Sequence, residues 1–245
     1  MRISIFEDRQ VLAQAAAERT IELIRKALTE RKLARIVLET GEQHVDYLRE
    51  LSAHRDVDWA NVEVFCAGEY IGLPPDHPAS VRRFLRDRLI AKTGIKKFFY
   101  FETESNLSVR IADFGAKLRT SPPDIAVLGI GENGRLALNS PPADFDTEAS
   151  YFTIDLDFPY RSQQVSEGWF VDVGQVPMQA ITMSVLQILR ANEIIAVATG
   201  SSSALAVKVC AEHGISPTAP ATILQTHSNA NLYVDRESAA QLSAG

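Results

Sequence analysis

Two stretches of the sequence combine residue types that move protons with residue types that let backbone approach a ligand. The first is Cys66-Ala-Gly-Glu-Tyr-Ile-Gly-Leu-Pro-Pro-Asp-His-Pro, residues 66–78, which leaves an apolar run. Glu69 and His77 are acid/base candidates by residue type. His77 stands between Asp76 and Pro78, where a helix-entry hydrogen bond is the competing role. The second is Gly129-Ile-Gly131-Glu-Asn-Gly134, a literal GxGxxG after a strand-like run. Dinucleotide binding by that motif requires a helix to begin there, so that its amides meet a pyrophosphate. Here the continuation is RLALNSPP, which is turn chemistry. The surviving inference is a sharp turn that brings backbone close to a ligand, which makes 129–142 the leading candidate site.

Those loops need strands to hold them. Apolar positions at helical spacing cover 8–31, followed by a strand at 35–40, a helix through Tyr47–Leu51 and a strand at 62–67. A proline loop leads into a helix with Ser80 near its start. Strands at 97–102 and 124–130 flank a helix around 107–118. After the irregular stretch 131–150 come a strand at 151–157, a helix at 180–190, a strand at 193–199, a helix at 203–212 and a last strand at 231–235. Several strands are continuously apolar, the pattern of a mostly parallel sheet covered on both faces by helices. The expected fold is therefore α/β and Rossmann-like, one domain over 1–245, with its ligand cleft at the carboxyl ends of the strands.

Composition narrows the partners. The 245 residues carry a formal net charge of −6, which argues against nucleic acid but leaves a local anion site open. The two cysteines, Cys66 and Cys210, lie in apolar runs, read as buried hydrophobes, and offer neither a disulfide framework nor zinc spacing. The N-terminus lacks a signal-peptide core, and no apolar run approaches the ~18 residues of a membrane span. The expectation is a cytoplasmic protein without membrane attachment, metal or cofactor, and with homo-oligomerisation left open.

Read together, EYIGLPPDHPAS (69–80), GIGENGRLALNSPP (129–142), VPMQAITMSVLQIL (176–189), ATGSSSALAV (198–207) and ATILQTHSNANLYVD (221–235) resemble, in order, the glucosamine-6-phosphate deaminase/isomerase family. The related 6-phosphogluconolactonases share its fold. The resemblance spans nearly the whole chain and implies a sugar-phosphate cleft. Its chemistry moves a proton between C1 and C2 of an opened sugar, with loss of ammonia in the deaminases. It places substrate contacts at Gly41, Glu42, Gly68, Gly131, Gly134, Asn139, Ser140, Arg161, Ser201 and Ser203, and reaction chemistry near Glu69, Asn133 and Arg135.

The family pattern is altered where the chemistry would lie. The base position is Gly68, the ring-opening histidine position is Arg135, and a carboxylate position is Ser140. Arginine stays protonated and is no ordinary general base. Glu42 stands where a phosphate would sit, and Ser203 replaces a basic residue. Three readings follow. The first is an enzyme on an amino-sugar phosphate, with a relocated base among Glu69, His77, Glu132 and Asp144 and with Arg135 stabilising an oxyanion. The second is a non-catalytic protein that binds a small anionic sugar or sugar phosphate. The third is a 6-phosphogluconolactonase-like hydrolase. Restoring Gly68→Asp, Arg135→His and Ser140→Glu together would tell lost acids and bases from a lost substrate site. An anionic ligand is expected if Arg135 and Arg161 share one cleft.

Overall fold

Alternating side chains along β-branched runs feed two apolar faces at once, and the computed structural model shows how. It describes residues 1–103 and 106–243. In chain order the elements are β1 (Arg2–Phe6), α1 (Arg9–Arg31), β2 (Ala34–Leu38), α2 (Val45–Ala53), β3 (Val62–Cys66), β4 (Gly68–Tyr70) and α3 (Val81–Leu85). A π-helical turn, Arg86–Ile90, joins α3 to α4 (Ala91–Thr93). Then come β5 (Lys97–Phe99), α5 (Leu107–Thr120), β6 (Ile125–Gly129), β7 (Tyr151–Asp155), α6 (Phe158–Ser166), β8 (Gln179–Met183), α7 (Val185–Ile188), β9 (Glu193–Ala198), α8 (Ala204–Glu212) and β10 (Ala230–Asp235).

Seven strands form one sheet in the order β1-β10-β9-β6-β2-β3-β5, with every pair parallel. In β6, Ile125 and Val127 join a core with Leu12, Ile24 and Leu48 from α1 and α2. Ala126 and Leu128 face the other way, towards Phe114 and Leu118 of α5 and Val207 of α8. Helices on both faces leave no wet side, which is why these strands read as continuous apolar runs. Cys66 and Cys210 are both buried and free, as small hydrophobes. None of the helices among the described residues is long and apolar enough to cross a membrane.

A smaller antiparallel sheet, β4-β8-β7, stands beyond the carboxyl ends of β3 and β6. The helix expected over 180–190 is overturned here. Residues 179–183 form the central strand of this sheet, and only Val185–Ile188 is helical. Two neighbouring strands satisfy both edges of Ala180–Met183, all of it buried, and β-branched Ile181 and Thr182 suit that setting. The Ser184 hydroxyl then starts α7 by accepting from the Gln187 amide at 3.2 Å. Strands β1 and β4 and helix α6 are absent from the sequence reading. β1 is a short, largely exposed edge strand, and β4 has three residues, too few for a period to register.

Candidate functional site

Parallel strands end together, so the loops after them converge. The turns following β1, β2, β3, β6, β9 and β10 surround a cavity of ≈ 540 Å³, and α6 covers its far side. The volume is in the range of a small-molecule site.

β2 delivers Glu39. Its backbone N–H still pairs with Val127 O at 3.1 Å, so the residue continues the strand while its side chain turns to the cavity wall. Glu39 is only 7% exposed. One carboxylate oxygen accepts the Gly129 N–H at 2.6 Å. Burial pushes the carboxyl up to about 7, against the opposing pull of the Arg135 charge and that one amide. A carboxyl poised near neutrality can both take and return a proton.

The loop after β6 delivers Arg135. Gly131 N–H donates to Arg135 O at 3.1 Å and Gly134 N–H to Gly131 O at 2.8 Å, closing a tight turn. The Asn133 side chain accepts the Arg135 amide at 3.1 Å and so shapes the turn. The guanidinium lies back over Gly131, where a Cβ would sit 2.1 Å from Nη1, so only glycine leaves it room. Nη1 donates to Gln163 Oε1 at 3.0 Å, and the group lies 4.8 Å from the Tyr160 ring centroid. Arg135 is 8% exposed, and its Nε is buried without a partner. Asn139 pins the same loop to β8, donating to Leu136 O and Met183 O, both at 2.9 Å.

Of the residues expected at a ligand site, Gly41, Glu42, Gly68, Gly131, Arg135 and Ser203 line the cavity. Asn133, Gly134, Asn139, Ser140, Arg161 and Ser201 lie outside its lining, although the first three build the Arg135 loop. Among the described residues the Arg161 side chain makes only a long 3.4 Å contact to Val173 O, and its neighbours Gln163 and Gln164 line the cavity in its place. The condition set for an anionic ligand, Arg135 and Arg161 in one cleft, is therefore not met.

Glu69 also lies outside the lining. Its carboxylate accepts from the Tyr70, Val81 and Arg82 amides at 2.9, 3.1 and 2.8 Å and from Ser80 Oγ at 3.2 Å. It therefore caps α3 from a buried position, and as placed it has no free face for a substrate. His77 Nδ1 accepts the Ala79 amide at 3.1 Å, and its ring stacks on Phe170. Glu132 lines the cavity, whereas Asp144, also outside the lining, accepts the amides of Asp146 and Thr147.

Gly68 lines the cavity, but a Cβ there would stand 2.4 Å from Ile181 O and 3.1 Å from Leu138 Cδ1. The β4–β8 pairing thus excludes any side chain at this position without backbone movement.

Sequence reasoning missed Glu39, Arg9, Tyr160, Glu167 and Trp169, all of which line the cavity. Glu39 did carry a signal, as a charged residue at the carboxyl end of an apolar strand. Arg9 had none without β1. Its side chain contacts Glu42 Oε1 at 3.2 Å and Asp46 Oδ2 at 2.8 Å, and so ties the turn after β2 to the start of α1. Beside it, His44 is fully buried with neither ring nitrogen partnered, and burial, aided by the Arg9 and Arg135 charges, holds it down to about 3. No group of three or more His, Cys, Asp or Glu among the described residues could hold a metal ion.

A parallel sheet covered on both faces, with a small antiparallel sheet over one end of a strand-end cavity, defines a Rossmann-like α/β protein with a small-molecule site. Residues 7–138 match the family model described as glucosamine-6-phosphate isomerases/6-phosphogluconolactonase. A glucosamine-6-phosphate deaminase of Listeria innocua is 30% identical over 229 residues, 93% of this chain and 96% of that protein. A deaminase of the same name from Lactobacillus delbrueckii is 28% identical over 94% of this chain and 96% of its own length. A solved monomeric glucosamine-6-phosphate deaminase superposes with a TM-score of 0.90 at 26% identity, covering 98% of this chain and 99% of its own. The 6-phosphogluconolactonase of Trypanosoma brucei shares the fold at a TM-score of 0.79 and 18% identity, covering 99% of this chain and 98% of its own. The chain belongs to the glucosamine-6-phosphate isomerase/6-phosphogluconolactonase family.

Proposed function

We propose that the protein catalyses proton transfer between adjacent carbons of an opened amino sugar, with Glu39 as the acid/base group and Arg135 as the oxyanion partner. The supporting observation is the pairing itself. A buried carboxyl poised near neutrality lines the cavity, within electrostatic reach of a buried guanidinium with an unused N–H. Glu39 takes the proton from C2, and the C–H electrons form the C1–C2 double bond. The carbonyl electrons move to the oxygen, whose developing charge Arg135 stabilises. Glu39 returns the proton to C1, while an amine proton passes through solvent to the former carbonyl oxygen. The resulting C2 imine takes up water and gives ketose and ammonia. The family points to this reaction class, and we assign it to the cytoplasm, where sugar metabolites of this kind are made and consumed.

The test incubates purified protein with glucosamine, galactosamine and their 6-phosphates in D₂O. It follows ammonia release and deuterium entry at C1. Turnover is expected, with Glu39→Gln lowering it by ~10²-fold or more and Glu39→Asp by less. No turnover above buffer, or an unaffected Glu39→Gln, defeats the proposal.

The blocked Cβ at Gly68 favours a second reading, a protein of this family that binds its sugar without turning it over. It predicts stabilisation of ~2.7 kcal/mol at 100 times the dissociation constant, with no product. The hydrolase reading rests on the joint family and the shared fold, and is tested by hydrolysis of 6-phosphogluconolactone.

A further inference from the structure

The cavity's charge is unbalanced for the ligand that the family suggests. Among the described residues, eight carboxylates line it against two arginines, with no lysine or histidine. Arg9 is already engaged, and Arg135 in part. Arg9 is held by Glu42 and Asp46, and Arg135 by Gln163 and by its attraction to Glu39. The carboxylates are not all spent on structure. Asp235 accepts the amides of Gly200 and Ser238, but among the described residues nothing donates to the Glu132 or Glu237 carboxylates, and Glu167 receives only Gln163 and Trp169 side-chain N–H groups. Glu132 and Glu167 repel each other near Arg135. A phosphate dianion entering here meets an excess of its own sign.

The rest of the lining suits a polyol. The buried Nε of Arg135 lacks an acceptor, which a sugar hydroxyl would supply. Gln163, Gln164 and Tyr160 add further hydrogen-bonding groups, and Trp169 and Phe84 offer apolar rings to the C–H face of a sugar.

We infer that the cavity selects an unphosphorylated amino sugar, whose ammonium is met by Glu132 and Glu167 and whose hydroxyls are met by Arg135 and the α6 glutamines. The inference rests on the proposed function only for the ligand's sugar character, and binding tests it independently of turnover. Isothermal titration and thermal shift are run with glucosamine, galactosamine, glucose, and the 6-phosphates of the two amino sugars. The amino sugars bind most tightly, glucose less so, and each 6-phosphate at least about tenfold more weakly than its parent. The gap narrows in a Glu132→Gln/Glu237→Gln variant and on raising salt to about 0.5 M, because screening and charge removal weaken the same field. Equal or tighter binding of the 6-phosphates overturns the inference, as does failure of either amino sugar to bind. Preserved binding order without turnover would sink the proton-transfer chemistry and leave this selectivity standing.

Discussion

Glu39 makes the stability of the whole protein depend on pH in a way that one substitution isolates. Its carboxyl moves from an ordinary 4.5 to about 7 because the ionised form is buried with a single amide donor. Between those values the native state binds more protons than the unfolded state, so stability falls as pH rises through that window. The loss is complete above pH 7 and amounts to about 3 kcal/mol, at ~1.4 kcal/mol per pH unit. About 2 kcal/mol of it falls between about pH 5.5 and about pH 8.5. Glu39→Gln cannot ionise and still presents an oxygen to the Gly129 N–H. The variant should therefore gain on the parent by about 2 kcal/mol across that range, a relative Tm gain of roughly 4–8 °C for a chain this long. The measurement is a pair of urea or thermal melts over a pH series, compared as differences so that other titrating groups cancel. Parallel curves for parent and variant would refute a carboxyl buried and poised near neutrality.

His44 works in the opposite sense. Held down to about 3 from 6.5, it leaves the native state with fewer protons than the unfolded state, so stability is lost as pH falls below 6.5, by about 4 kcal/mol at pH 3. His44→Phe keeps the ring and should flatten that acid limb, shifting the acid-unfolding midpoint downward in circular dichroism. Gly68→Asp should cost about 1–3 kcal/mol or more in urea melts and raise turnover above the parent's neither alone nor with Arg135→His and Ser140→Glu, because its Cβ meets Ile181 O. A Gly68→Asp variant as stable as the parent and faster than it would show that β4 can move. Glu69→Ala strips four donors of their acceptor and should destabilise by about 2–4 kcal/mol while leaving ligand affinity within about twofold. A large loss of affinity at unchanged stability would return Glu69 to the site.

The sequence alone determined the kind of fold and the neighbourhood of the site. Apolar runs such as IAVLG at β6 read as strands buried on both faces, and the glycines and prolines of 129–142 forbid a helix where GxGxxG suggested one. Those are local consequences of side-chain period and backbone freedom. Tertiary structure decided which residues face the cavity. Glu69 and Gly68 are neighbours in sequence, yet strand alternation and the β4–β8 pairing turn one into a buried helix cap and leave no space for a side chain on the other. Residues 179–183 became a strand because two neighbours hydrogen-bond both its edges. Glu39 acquired its proton affinity, and Arg135 its unused donor, only when strands distant in sequence closed over them and excluded water. Desolvation depends on everything packed around a group, so no local pattern in the chain records it.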